Sequence, residues 1–99
     1  MAAKLIIASE PGQDIDEAYG WYEQQRAGLG EEFLGCVDAC LGAVCRMPEI
    51  HAKVHKEYRR ALVRRFPYGV FYEYSAETII VYCVFHTARD PKKWRQRLA

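Results

Sequence analysis

The sequence predicts an α+β fold in which a small twisted antiparallel sheet packs against an N-terminal α-hairpin, in the order β-α-α-β-β-β-β with a short C-terminal helix. Three observations carry that prediction. Apolar residues recur at helical spacing through two stretches between Asp14 and Arg46, divided by Gly28-Leu29-Gly30. From Ala52 the period changes to two, and β-branched and aromatic residues crowd the segment from Tyr68 to Phe85. Asp90-Pro91 then has the form of a helix start, an N-cap followed by proline at the first helical position.

Taken in order, Lys4 to Ser9 is a short apolar strand that Glu10-Pro11-Gly12 should end. Asp14 with Glu17 three residues later reads as a capping box, opening a helix whose buried stripe is Ile15, Ala18, Tyr19 and Tyr22. That helix frays at Gly28. Trp21 lies off the stripe and is expected to pack on a neighbouring element. In the second helix Glu31 and Glu32 in the first turn and Arg46 in the last complement the helix dipole. Phe33, Leu34, Val37, Leu41 and Val44 form its buried stripe, and Pro48 ends it. Gly35 and Gly42 each cost up to about 1 kcal/mol relative to alanine, which suggests close approach to the first helix or to a partner.

Beyond Ala52, Val54, Lys56 and Tyr58 alternate with Lys53, His55 and Glu57, and Ala61-Leu62-Val63 resumes after Arg59-Arg60. Two antiparallel strands turning near Glu57 to Arg59 fit this pattern. Tyr68, Val70, Tyr72 and Tyr74 alternate with Gly69, Phe71 and Glu73 as a half-covered strand, and Ser75-Ala76-Glu77 forms a turn. Thr78 to Phe85 is apolar on both faces, as in a central strand, with Ile80, Tyr82 and Val84 on one side and Ile79, Val81, Cys83 and Phe85 on the other. Lys92 to Leu98 is the short basic helix.

At 99 residues, 51% of them apolar, the chain makes one compact domain over residues 1–99, with room for one core. No apolar run approaches the roughly 20 residues of a membrane span, and Met1-Ala2-Ala3-Lys4 does not open a signal peptide, so a cytoplasmic protein with no membrane partner is expected. Cys36, Cys40 and Cys45 share one helix and Cys83 lies in the central strand, so none is placed for a disulfide and all read as small core residues. No Cys-x-x-Cys pair, metal-ligand cluster, phosphate loop or nucleophile motif is present, so no cofactor or metal is expected. His51 and His55 read as surface residues.

The net charge of +1 conceals an asymmetry. Residues 1–50 hold three cations against nine acids, a balance of −6, and residues 51–99 hold eleven cations against four acids, a balance of +7. Either the halves neutralise each other within the fold, or the C-terminal half engages nucleic acid or an acidic protein segment. Lys53, Lys56, Arg59, Arg60, Arg64 and Arg95, with Trp94, are the candidate partner or nucleic-acid contacts. Trp94 has a second reading, as the anchor of its helix on the sheet.

Four segments in order resemble one family. Trp21-Tyr22-Glu23, Gly28-Leu29-Gly30-Glu31-Glu32-Phe33-Leu34, Arg64-Arg65-Phe66-Pro67-Tyr68 and His86-x-x-Arg89-Asp90-Pro91-x-x-Trp94 are similar to the RelE/ParE superfamily of type II toxin–antitoxin modules, in the branch labelled plasmid stabilisation proteins. The resemblance covers nearly the whole chain. It implies a growth-inhibiting toxin neutralised by a cognate antitoxin.

Two activities occur in that superfamily. RelE-like members cleave messenger RNA on the ribosome without a metal, which needs a base for the ribose 2′-OH, cations for the phosphorane and an acid for the leaving oxygen. His86, Arg89 and Arg65 are the candidates here, with Lys53, Lys56 and Arg64 as further cations, because histidine is the side chain suited to proton transfer near neutral pH and Arg65 can grip a phosphate through two N–H groups. His86 has a second reading as a residue that simply bonds nearby backbone. The resemblance also implies two departures: Gly69 stands where RelE-type enzymes carry arginine, and Trp94 is the only aromatic residue after Arg89, where they carry a catalytic tyrosine. ParE-like members instead inhibit DNA gyrase by binding, and then the basic C-terminal helix with Trp94 is the recognition surface. A degenerate, non-toxic module that only engages an antitoxin-like protein is the third reading.

Overall fold

The computed structural model describes residues 3–98. Its elements are β1 (Lys4–Ile7), α1 (Ser9–Gln25), α2 (Leu29–Arg46), β2 (Lys53–His55), β3 (Tyr58–Leu62), β4 (Tyr68–Ser75), β5 (Thr78–His86) and α3 (Pro91–Arg97). The five strands lie in the order β1-β5-β4-β3-β2. β2 to β5 are antiparallel, whereas β1 joins β5 in parallel, with Lys4 opposite Thr78 and Ile7 opposite Val81. A parallel neighbour is reached only by a long crossover, and the hairpin with the three strands after it supplies one.

The first helix begins five residues before the expected cap. Ala8 is its N-cap and contributes no side-chain bond, while Pro11 sits in the first turn, where no N–H is needed. Glu10-Pro11-Gly12 therefore opens the helix instead of ending the strand, and Asp14 is released from capping. Gly28 turns the chain with a left-handed φ of 88°, and α1 and α2 then meet at Gly30. The Gly30 N–H donates to Glu23 Oε1 at 2.8 Å, and a Cβ there would stand 2.6 Å from Glu23 Cγ and 2.8 Å from the Tyr19 ring. Gly35 and Gly42 make no comparable approach to α1, so the close crossing belongs to Gly30 alone among these three.

One core lies between the hairpin and the sheet, where Tyr22, Phe33, Val37 and Val44 meet Phe66, Val70, Tyr72, Ile79 and Val81. A second, smaller core lies on the opposite sheet face, where Trp94 and Leu98 cover Phe71, Cys83 and Phe85. β5 serves both through a bulge. Phe71 pairs with Cys83 but Tyr72 pairs with Val81, so Tyr82 is an extra residue and the alternation slips by one. Cys83 and Phe85 are thereby turned away from Ile79 and Val81, which corrects the single unbroken alternation expected from the sequence. The β4–β5 turn uses Ala76 and Glu77 at φ of 51° and 59°, and the β2–β3 turn falls at Lys56-Glu57 with Lys56 at φ 51°.

β1 covers β5 only as far as Val81, so the outer edge from Tyr82 onward lacks a strand. Two side chains close it. Asp14 Oδ2 accepts the Val84 N–H at 3.1 Å, and Arg97 Nη1 donates to the Tyr82 carbonyl at 3.3 Å. Arg97 also bonds both carboxylate oxygens of Asp14, at 3.0 and 3.2 Å, and its Nε reaches Glu10 at 3.0 Å. α1 and α3 are thus tied together around the bare end of β5, and a partly buried ion pair does work that a sixth strand would otherwise do.

Candidate functional site: a divided cationic surface

The C-terminal cations do not form one rim. They separate onto two sides of the sheet, and several are engaged by the fold itself. Arg59 is half-buried and donates to the carbonyls of Glu49 at 3.1 Å and His51 at 2.6 Å, which ties the loop after α2 to β3. Lys53 pairs with Glu57 at 2.8 Å. Lys56 is exposed in the β2–β3 turn. Arg97, on the basic helix, belongs to the Asp14 bridge.

Trp94 is 8% exposed and stacks on Phe71 with ring centroids 4.9 Å apart, so it anchors α3 and is withdrawn from the expected contact surface. The physical cause is the second core: without the indole, Phe71 and Phe85 would face water. On the same side, Arg95 lies 5.3 Å from the Trp94 ring. Arg60 runs its stem across Gly69, with Cγ and Cδ 3.2 and 3.1 Å from where a Cβ would sit. Gly69 therefore leaves a space that a neighbouring strand's arginine occupies.

The three residues proposed for phosphate chemistry are not brought to one cavity. His86 and Arg89 line a cleft of about 280 Å³ with Tyr68, Trp21, Asp14 and Glu17. His86 Nδ1 accepts the Ala88 N–H at 3.0 Å, its ring lies 5.3 Å from that of Tyr68, and the Arg89 guanidinium stands 4.5 Å over Phe85. Burial raises the Tyr68 pKa above its ordinary value of 10.0. Arg65 faces elsewhere. It pairs with Glu32 on α2 at 2.8 Å, and that bond, together with Arg26 at 2.7 Å, holds the Glu32 carboxyl below its ordinary range.

Arg65 lines a different groove, of about 510 Å³, between α2 and the end of β3. Its floor is built from small α2 residues, among them Ala39 and Ala43, with Cys36 and Cys40 beside them and the exposed Leu62 as the wall. Arg46 and Arg64 complete the rim. Burial pushes the Cys40 thiol up to about 11, so it stays protonated at neutral pH and its Sγ lies 3.7 Å from the Leu62 carbonyl as a weak donor. Sequence reasoning missed this groove and the Asp14–Arg97 bridge. The small residues at 35, 39 and 43, spaced by one helical turn, were the available signal for the groove; nothing in the sequence links positions 14 and 97.

The element order and the hairpin packed on the sheet are those expected from the sequence, and the comparison with known families agrees. A family model described as ParE toxin of type II toxin-antitoxin system, parDE, matches residues 6–91. The chain belongs to the ParE toxin family. This places it in the RelE/ParE superfamily, as the four sequence segments implied. The ParE fold here also superposes on a solved structure described as the chromosomal ParDE TA system from P. aeruginosa, with a TM-score of 0.76 over 86% of this chain and 96% of that one. The identity is 11%, so that likeness speaks to fold alone. No curated protein sequence matches the chain. Among the described residues, no helix is long and apolar enough to cross a membrane.

Proposed function

We propose that this ParE-family chain is the growth-inhibiting toxin of a type II module, that it acts by binding a protein target, DNA gyrase, and that a cognate antitoxin holds it inactive. The observation that carries the binding reading is the state of His86. With Nδ1 accepting the Ala88 N–H, the neutral ring carries its proton on Nε2, so the outward nitrogen is a donor and not a base. A 2′-OH needs a base, and the next cation proposed for the reaction, Arg65, is held against Glu32 in another groove. Arg89 and the Nε2–H of His86 then offer two donors to an acidic or carbonyl-rich surface, beside the exposed Trp21.

Ribosome-dependent mRNA cleavage is the second reading, favoured by His86, Arg89 and Tyr68 sharing one cleft. Induced expression in a bacterial host with labelled precursors, beside supercoiling and translation assays, tests both. Filamentation, loss of supercoiling and continued early protein synthesis support gyrase inhibition. Immediate arrest of protein synthesis that His86→Ala and Arg89→Ala abolish supports cleavage, and unimpaired growth supports a non-toxic binding module.

A further inference from the structure

We propose that β1 is an association edge, at which a second copy of this chain adds its own β1, antiparallel and across a two-fold axis at Ile6. The sheet ends in two edge strands, β1 and β2. Each leaves a row of backbone groups that another strand can meet, and folds that stay single block such rows with charge, proline, bulges or very short strands. β2 is blocked in three of these ways. It has three residues, a register shift between Lys53 and His55, and a charged Lys53–Glu57 pair. The bare end of β5 is blocked by Asp14 and Arg97. β1 has neither proline nor bulge, and its register with β5 runs unbroken from Lys4 to Ile7. Its outer residues are apolar, with Ile6 40% and Ile7 42% exposed.

The backbone fixes how a second copy docks. The Lys4 N–H donates to the Glu77 carbonyl at 3.0 Å, toward β5. Lys4 and Ile6 therefore direct their backbone groups at β5, and alternation turns those of Leu5 and Ile7 to the open side. Ala3, next in that outward series, donates its N–H to Cys45 at 3.2 Å, so the available stretch is Leu5 to Ile7. Pairing Leu5 with Ile7 of the second copy, and Ile7 with its Leu5, makes four hydrogen bonds and sets Ile6 against Ile6 on the axis.

Charge selects the same orientation. Lys4 precedes the open stretch and is exposed, and Glu10 follows it with 66% of its side chain exposed beside Arg97. Antiparallel docking carries each Lys4 toward the other copy's Glu10, whereas parallel docking sets lysine beside lysine. A net charge of +1 puts little general repulsion between copies. One short strand pair buries less than the roughly 1,200 Å² of a standard interface, so the dimer is reversible, with a Kd of roughly 10–100 µM.

Sedimentation equilibrium of the purified full chain is expected to show a monomer–dimer equilibrium in that range. Amide exchange followed by NMR, below and above the Kd, identifies the edge. The Leu5 and Ile7 amides should gain protection with concentration, while those of Lys4 and Ile6, already bonded to β5, are protected at both. Ile6→Lys sets two ammonium groups on the axis, and Ile7→Pro deletes an outward N–H without touching the β5 ladder. Each should weaken the dimer about tenfold or more, with matched melting curves establishing that the variants fold. Leu62→Lys, at an apolar residue on β3 that is 59% exposed, should leave the dimer unchanged. A monomer across the whole concentration range, a dimer whose Leu5 and Ile7 amides exchange at the monomer's rate, or equal losses from Leu62→Lys and Ile6→Lys would each overturn the proposal.

Discussion

Asp14→Ala is expected to cost far more than a substitution on a solvent-facing helix. The Asp14 side chain is 11% exposed and accepts three hydrogen bonds, one from the Val84 N–H and two from Arg97. Leaving the Val84 N–H unpaired at a sheet edge costs about 1–3 kcal/mol. Stranding the Arg97 guanidinium adds less than the 3–5 kcal/mol typical of a fully buried pair, because Arg97 is 21% exposed and keeps Glu10. Taking that second contribution as about 1–2 kcal/mol gives a total of about 2–5 kcal/mol. Urea unfolding reads it as a fall in midpoint of roughly 2 M at an unchanged slope, for an m-value of roughly 1–2 kcal/mol/M. Arg97→Leu in the Asp14→Ala background should cost much less than it does alone, with a coupling of about 1–2 kcal/mol. If Asp14→Ala costs under about 0.5 kcal/mol, or the two changes simply add, the bridge does not close the edge and the reasoning fails.

Three further outcomes are expected. Trp94→Ala should destabilise by about 3–5 kcal/mol by opening the second core, seen as a collapse of the thermal transition; a melting curve like the parent's would return the indole to the surface. Gly30→Ala gains helix propensity but drives a methyl into Glu23 and Tyr19, so a net loss of about 1–2 kcal/mol, or roughly 5–10 °C in Tm, is expected, and a raised Tm would show that the hairpin crossing relaxes freely. The folded Glu32 pKa lies below its ordinary 4.5 because Arg65 and Arg26 favour the carboxylate, so the stability it contributes is present above the unfolded value and is lost as pH falls through the folded one. Urea midpoints of the parent and Glu32→Gln should therefore converge on acidification; a gap that is constant with pH would remove that linkage.

Much of the architecture was legible because it is written in local pattern. The stripe Phe33, Val37, Leu41 and Val44 announces α2, and all four residues are buried in it. Asp90-Pro91 announces α3, and the Asp90 side chain accepts the Lys92 N–H at 2.9 Å. The start of α1 was misread because Pro11 and Gly12 break helices in their interior but not in the first turn, and the two situations look alike in sequence. The bulge at Tyr82 left no mark, since a run apolar on both faces has no alternation to interrupt. In the candidate site, His86 and Arg89 are near in sequence and share a cleft, but Arg65 joins them in the sequence only through its capacity to grip a phosphate, and Glu32 directs it elsewhere.

Composition and periodicity by themselves determined the order of elements, the two helical stripes, the half-covered strand and the concentration of positive charge after residue 50. Those are properties of neighbours within a turn or two, where backbone geometry dictates which side chains share a face. Only the folded chain decided which cations are free to meet a partner. Arg59 is spent on two loop carbonyls, Arg97 on a sheet edge and Arg65 on α2, while Arg64 and Arg95 end on opposite sides of one sheet. The reason is that a charge finds its partner in space, across as many as 83 residues of chain, and no local pattern encodes that distance.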